Sequence, residues 1–204
     1  MAPTPGPSAV LLLEVRGTPG RTDAPPEVLG PARALLEGRG EAWSPASGPG
    51  LSGSLALADA AEAFRVLHGL RTELRAEPSL PSLWIAAGIG RGDDLVGPRL
   101  AGEAFRSLGK RGKHLTRART GDEEFDVVLD ALCRTLDTTM RGWTAAQWQA
   151  IHRRDRGRTL FEVGDDLGIA YQNVSKRLIA ARYSLYQEVL GAASLLFSRR
   201  SSQE

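Results

Sequence analysis

The spacing of hydrophobic residues along the 204-residue chain changes several times, and each change predicts an element. Ser8–Arg16 (SAVLLLEVR) is a short apolar run that predicts a buried strand. Gly17–Pro26, with its Gly-Thr-Pro-Gly and Pro-Pro, predicts a loop. Val28, Leu29, Ala32, Leu35 and Leu36 then follow helical spacing over Glu27–Gly38, and Gly38 and Gly40 close that helix. Within Glu41–Leu57, the breaker-rich segment Ser44–Ser54 predicts a turn between two short strands. Asp59 is the expected cap of an amphipathic helix with Ala63, Phe64, Val66, Leu67, Leu70 and Leu74 on one side. Leu83–Ile89 predicts a strand, Gly90-Arg-Gly-Asp-Asp a turn, and Pro98–Leu108 a helix ended by Gly109. Leu115–Thr120 predicts a last strand. A helix from Gly121 to about Met140 has acids in its first turn, where the helix dipole favours them.

This order, β-α-β-β-α-β-α-(β)-α, is the ferredoxin-like order with additions. It predicts an α+β protein in which a Pro-rich, disordered segment 1–7 precedes a ferredoxin-like domain over 8–140. A boundary near Arg141-Gly142 leads to an all-α domain over 141–198 and a tail at 199–204.

The all-α part has the pattern of a helix-turn-helix over Thr159–Ile179. Two short helices crossing steeply at a tight turn need particular residues at fixed offsets. Val163 and Leu167 supply the inner face of the first helix. Gly164 is small at the expected close crossing, Gly168 suits the left-handed turn, and Ile169 plugs it. Val174 and Leu178 supply the inner face of the second helix. Thr159, with Glu162 three residues later, is a capping box. Trp143–His152 predicts a supporting helix capped by Thr144, with Trp148 and Ile151 buried against the pair. The unit is therefore read as tri-helical and DNA-binding.

The recognition helix spans about Ala170–Arg182 on this reading. Tyr171, Gln172, Ser175 and Lys176 face away from Val174 and Leu178, as base or phosphate contacts would. Arg177 and Arg182 are expected to reach flanking phosphates, as are Arg153, Arg154, Arg156 and Arg158, while Thr159 opens the first helix. Asp165 and Asp166 should face away from DNA. Beyond this helix, Ile179–Phe197 stays apolar at helical spacing through Ala181, Leu185, Tyr186, Val189, Leu190, Ala193, Leu196 and Phe197. That stretch serves either packing onto the chain's own N-terminal domain or dimerisation, which a two-fold DNA-binding protein needs.

Composition adds a gradient. Charged residues make up 25% and hydrophobic residues 42%, ordinary for a soluble protein. Of 26 basic residues only Lys110, Lys113 and Lys176 are lysine, and with 23 glycines this reads first as a coding bias of a GC-rich genome. The net +2 conceals ten Lys/Arg against six Asp/Glu from Arg141 onward, a basic C-terminal third that points to nucleic acid. No apolar run approaches the ~20 residues of a membrane span. The N-terminus lacks the basic and apolar regions of a secretory signal, and Cys133 has no second cysteine to pair with. A cytoplasmic, nucleoid-associated location is expected, with no membrane partner.

Several segments resemble the SatD family: Leu11-Leu-Leu-Glu-Val-Arg-Gly-Thr, Gly48-Pro-Gly-Leu-Ser-Gly-Ser-Leu55, Trp84-Ile-Ala-Ala-Gly-Ile-Gly90, Val96-Gly-Pro-Arg-Leu-Ala-Gly-Glu-Ala-Phe-Arg106 and Trp143-Thr-Ala-Ala-Gln-Trp. The resemblance spans about residues 8–180. It implies a ferredoxin-like domain related to nucleotidyl cyclase and GGDEF domains, joined to a C-terminal helix-turn-helix. Members typically carry an aspartate after the first apolar run and a Gly-Asp-Glu-Phe-type turn. This chain has Glu14 at the first place and Gly48-Pro49-Gly50-Leu51 at the second. Two-metal phosphoryl chemistry needs closely spaced carboxylates, so the resemblance implies a non-catalytic relative.

Other chemistry is sparse. His68, His114 and His152 are scattered, without metal-ligand spacing, and are expected at the surface or satisfied within the fold. Cys133 is expected in the core, and Asp93 and Asp94 in a solvated turn. Gly88-Ile-Gly-Arg-Gly-Asp matches neither a P-loop nor a dinucleotide fingerprint, and Lys110-Arg-Gly-Lys113 complements a helix C-terminus. No catalytic residue, metal or cofactor is expected. The expected function is a transcription regulator that binds double-stranded DNA as a homodimer, its N-terminal domain dimerising or sensing a nucleotide or protein effector. The alternatives are an adaptor for RNA polymerase or a sigma factor, and a nucleotide-binding cyclase-like enzyme.

Overall fold

The computed structural model describes residues 8–17, 26–38, 43–47, 50–78, 83–109 and 114–199. The expectations for segment 1–7, for most of the loop after Gly17, for the Gly48-Pro49 turn, for Lys110–Lys113 and for the last residues of the tail lie outside them.

The protein is α+β. In chain order its elements are β1 (Ala9–Arg16), α1 (Pro26–Glu37), β2 (Trp43–Pro45), β3 (Leu51–Leu57), α2 (Ala63–Ala76), β4 (Trp84–Arg91), α3 (Val96–Ser107), β5 (Thr116–Arg119) and α4 (Glu123–Arg141). Four helices complete it: α5 (Ala145–Asp155), α6 (Leu160–Leu167), α7 (Tyr171–Ala180) and α8 (Tyr183–Ser198). The strands form one mixed sheet in the order β2-β3-β1-β4-β5. The first three pairings are antiparallel, and β5 joins β4 in parallel. Asp59 accepts from the Ala61 amide at 2.8 Å and opens a 3₁₀ turn, Ala60–Glu62, that runs into α2. The turn after β4 begins two residues later than predicted, because Gly90 and Arg91 still pair with β1.

Alternation in β1 sends Leu11, Leu13 and Val15 into the main core with α2, while Val10 pairs across from Gly90 on the other face. On that face α3 lies directly against the strand. A Cβ on Gly90 would stand 2.1 Å from the Gly97 carbonyl oxygen, and one on Gly88 2.4 Å from the Phe105 nitrogen. These glycines therefore serve helix–sheet contact.

On the opposite face the core continues without a break past Arg141-Gly142. Leu129, Cys133, Leu136 and Met140 of α4, Trp148 and Ile151 of α5, and Tyr186, Leu190, Ala193 and Phe197 of α8 share one cluster with α2 and the sheet. Cys133 is a fully buried member, and burial pushes its thiol pKa up. Within this core lies the pair Arg71–Asp137, 3.8 Å apart. Arg71 donates to the Ile85 and Leu115 carbonyls and to Thr116 Oγ1. Asp137 accepts from the Leu115 and Thr116 amides and from the Thr116 hydroxyl.

Two expectations change. Trp148 and Ile151 do not pack under the helix-turn-helix. They turn toward the main core, where Trp148 meets Trp84 and Trp143 edge-on, because α5 is shared between two clusters. Nor is Ile179–Phe197 one helix: α7 stops at Ala180, and Arg182 takes a left-handed conformation (φ 53°) before α8 begins.

Candidate nucleic-acid interface

Helices α5 and α6 are set by their starts. Thr144 and Gln147 form a capping box at the start of α5, and Thr159 and Glu162 one at the start of α6. The Glu162 carboxylate accepts from the Thr159 amide at 2.7 Å, and this contact and the Thr159 hydroxyl hold it below its ordinary pKa. Gly168 ends α6 in a left-handed conformation (φ 64°), which turns the chain toward α7. A Cβ on Gly164 would stand 2.7 Å from the Ile169 carbonyl oxygen, so the crossing requires glycine there. Ala150, Val163 and Val174 form a small second core, flanked by Leu160, Leu167, Ile169 and Leu178.

With Val174 and Leu178 inward, helical phasing puts Gln172, Lys176 and Ile179 on the outermost stripe of α7. Gln172 and Lys176 are exposed, and neither hydrogen-bonds nor ion-pairs with a described residue. Ser175 is half-buried beside the stripe, and Tyr171 stands at the N-terminal end of the helix. Of these four, only Gln172 and Lys176 thus share the outer stripe; Ser175 flanks it, and Tyr171, three residues before Val174, does not face away from the inner side as expected.

The structure does not bring the other four expected contacts into the same stripe. Arg177 is half-buried on the flank, and Arg182 lies beyond α7, which ends at Ala180 rather than at the expected Arg182. Arg158 pairs with Glu162 at 3.6 Å, and the Thr159 hydroxyl is committed to the cap. Arg153 pairs with Asp166 at 3.8 Å and Arg156 with Glu73 at 3.4 Å. These groups line a cleft of about 470 Å³ between the end of α2 and α5–α6, so Asp166 turns away from the α7 stripe.

Sequence reasoning missed Phe161 and Ile179. Ile179, read at the junction of the recognition helix and the apolar C-terminal stretch, is 73% exposed and lies on the outer stripe of α7, since the chain breaks at Arg182. Phe161 is 64% exposed and its ring stacks on Tyr171 with centroids 4.3 Å apart. Its signal was available: an aromatic two residues after a helix cap, off the inner face defined by Val163 and Leu167.

This unit is fastened to the sheet layer by polar contacts. His68 of α2 bonds Asp155 of α5 at 2.8 Å through Nε2 and the Tyr186 hydroxyl at 3.1 Å through Nδ1. Tyr183 and Gln187 of α8 also donate to Asp155, and Trp143 Nε1 donates to the Ala181 carbonyl at 2.8 Å. His152 faces the cleft, where burial, then Arg156 and Arg153, lower its pKa against the opposing pull of Glu73 and Asp155.

Glu14 and Asp93 have partners of their own. Glu14 accepts from Arg16, and Asp93 accepts from the Leu95 and Val96 amides, which hold its pKa low. Among the described residues, no group of three His, Cys, Asp or Glu side chains stands close enough to hold a metal ion. No family model matches the chain, and neither a curated protein nor a solved structure matches it.

Proposed function

We propose that this chain is a DNA-binding transcription regulator whose helix α7 enters the major groove of duplex DNA. The observation that carries the reading is the outer stripe of α7: Gln172 and Lys176, four residues apart, are exposed on the second helix of the α6–α7 pair, without partners among the described residues. Such side chains contact base edges and phosphates. The protein acts as a homodimer in the cytoplasm, associated with the nucleoid. Since α8 directs Tyr186, Leu190, Ala193 and Phe197 into its own chain's core, a dimer contact on α8 uses the opposite side, with Leu185 and Leu195. The sheet order β2-β3-β1-β4 supports reading the N-terminal layer as ferredoxin-like. That layer is a non-catalytic sensor of a nucleotide or protein effector.

Chromatin immunoprecipitation of the tagged protein, beside a Gln172→Ala/Lys176→Ala variant, tests the reading. Sharp peaks with a shared motif that vanish in the variant are expected. The exposed Ile179 favours a second reading, in which the same stripe meets RNA polymerase or a sigma factor. Peaks that follow polymerase at every promoter would select it.

A further inference from the structure

We propose that Phe161 and Tyr171 together read the methyl group of a thymine in the selected DNA site; this rests on α7 lying in the major groove. Phe161 is the second residue of α6 and Tyr171 the first of α7, and their rings stack at 4.3 Å with a 34° tilt. Both residues are exposed, at 64% and 39%, and Phe161 belongs to neither hydrophobic core. The stack therefore builds an apolar surface outside the fold's own packing.

Its position gives it a counterpart. A helix-turn-helix presents base edges chiefly to the N-terminal residues of its second helix, where Tyr171 and Gln172 stand. Most groups on base edges in the major groove are polar, and a phenyl ring would leave them unsatisfied. The C5 methyl of thymine is the apolar feature of that surface, and phenylalanine is among the side chains that contact it. Stacking also holds the Tyr171 ring in place before binding, so little rotamer freedom remains to be lost. The Tyr171 hydroxyl, which has no partner among the described residues, is left for a phosphate or base acceptor.

The test begins with duplexes selected from a random pool by the full-length protein. Each thymine of the selected site is then replaced by deoxyuridine, which removes only the C5 methyl. The expected result is an affinity loss of about fourfold at one or two positions, the factor corresponding to ~0.8 kcal/mol for one buried methyl. Phe161→Ala is expected to bind thymine and uracil duplexes alike, with an unchanged melting temperature. Phe161→Leu, which keeps an apolar tip, retains the preference in reduced form. A selected site indifferent to uracil at every thymine overturns the inference, leaves DNA binding standing and releases the ring pair to a protein partner. Uracil sensitivity that persists undiminished in Phe161→Ala overturns it too, by assigning the methyl to another residue. Failure to enrich any duplex overturns the DNA-binding reading as well.

Discussion

Gly164 and Gly168 stand four residues apart, yet alanine fails at each for a different reason. At Gly168 the obstacle is the left-handed backbone, so Gly168→Ala should cost about 1–2 kcal/mol. At Gly164 the backbone is helical, but the new Cβ would meet the Ile169 carbonyl at 2.7 Å, and neither backbone can move alone. Gly164→Ala should therefore push α6 from the start of α7 and weaken DNA binding even where the sheet layer stays folded; circular dichroism with a binding titration separates the two effects. Both glycines were legible in the sequence because the tight turn fixes their offsets. Arg71 was not. It lies among the apolar positions of α2, and its partners arrive from β4, β5 and α4 through tertiary packing. Asp137→Ala would leave the Arg71 guanidinium buried without its carboxylate, and a loss of about 3–5 kcal/mol is expected in urea unfolding.

At the scale of elements, the order of strands and helices was legible because the period of the apolar residues changes at each boundary. The division between α7 and α8 was not. Helical spacing carries on through Ala181 and Leu185, and neither glycine nor proline marks the break at Arg182. The consequence for α7 is practical: Ile179 belongs to its outer surface. Substitutions on that surface should leave the fold intact. Lys176→Ala is expected to weaken duplex binding and to reduce the slope of log affinity against log salt by about 0.9, the change for one phosphate contact. Gln172→Ala should lower affinity for the selected site and leave that slope unchanged. Melting curves of both variants should stay within about 0.5 kcal/mol of the parent.

For the whole molecule, periodicity identified the apolar face of α8 but not its owner. The structure assigns Tyr186, Leu190, Ala193 and Phe197 to the main core, so deleting the chain from Tyr183 onward would strip that core rather than test a dimer. A cleaner test replaces Leu185 and Leu195, 50% and 60% exposed, with glutamate and reads the mass by sedimentation; loss of the dimer is expected. The seam between α2 and α5 also has a pH signature. Burial and Arg156 hold His152 below its ordinary 6.5, so the folded chain resists a proton that the unfolded chain accepts. Stability is then complete above about pH 6.5 and declines as pH falls toward the lower folded value. His152→Gln should flatten that part of the profile when urea midpoints are compared between about pH 8 and about pH 5.

The small second core has a consequence for amide exchange. Only Ala150, Val163 and Val174 are fully buried in it, whereas α2, α4 and α8 share the large cluster on the sheet. Helices α6 and α7 can therefore open while the sheet and its covering helices stay closed. Their amide hydrogens should exchange with deuterium earlier than those of β1, β4 and α2, and bound duplex should slow them selectively. The segment proposed to meet DNA is then expected to be a foldon of its own, tightened by duplex if it binds there.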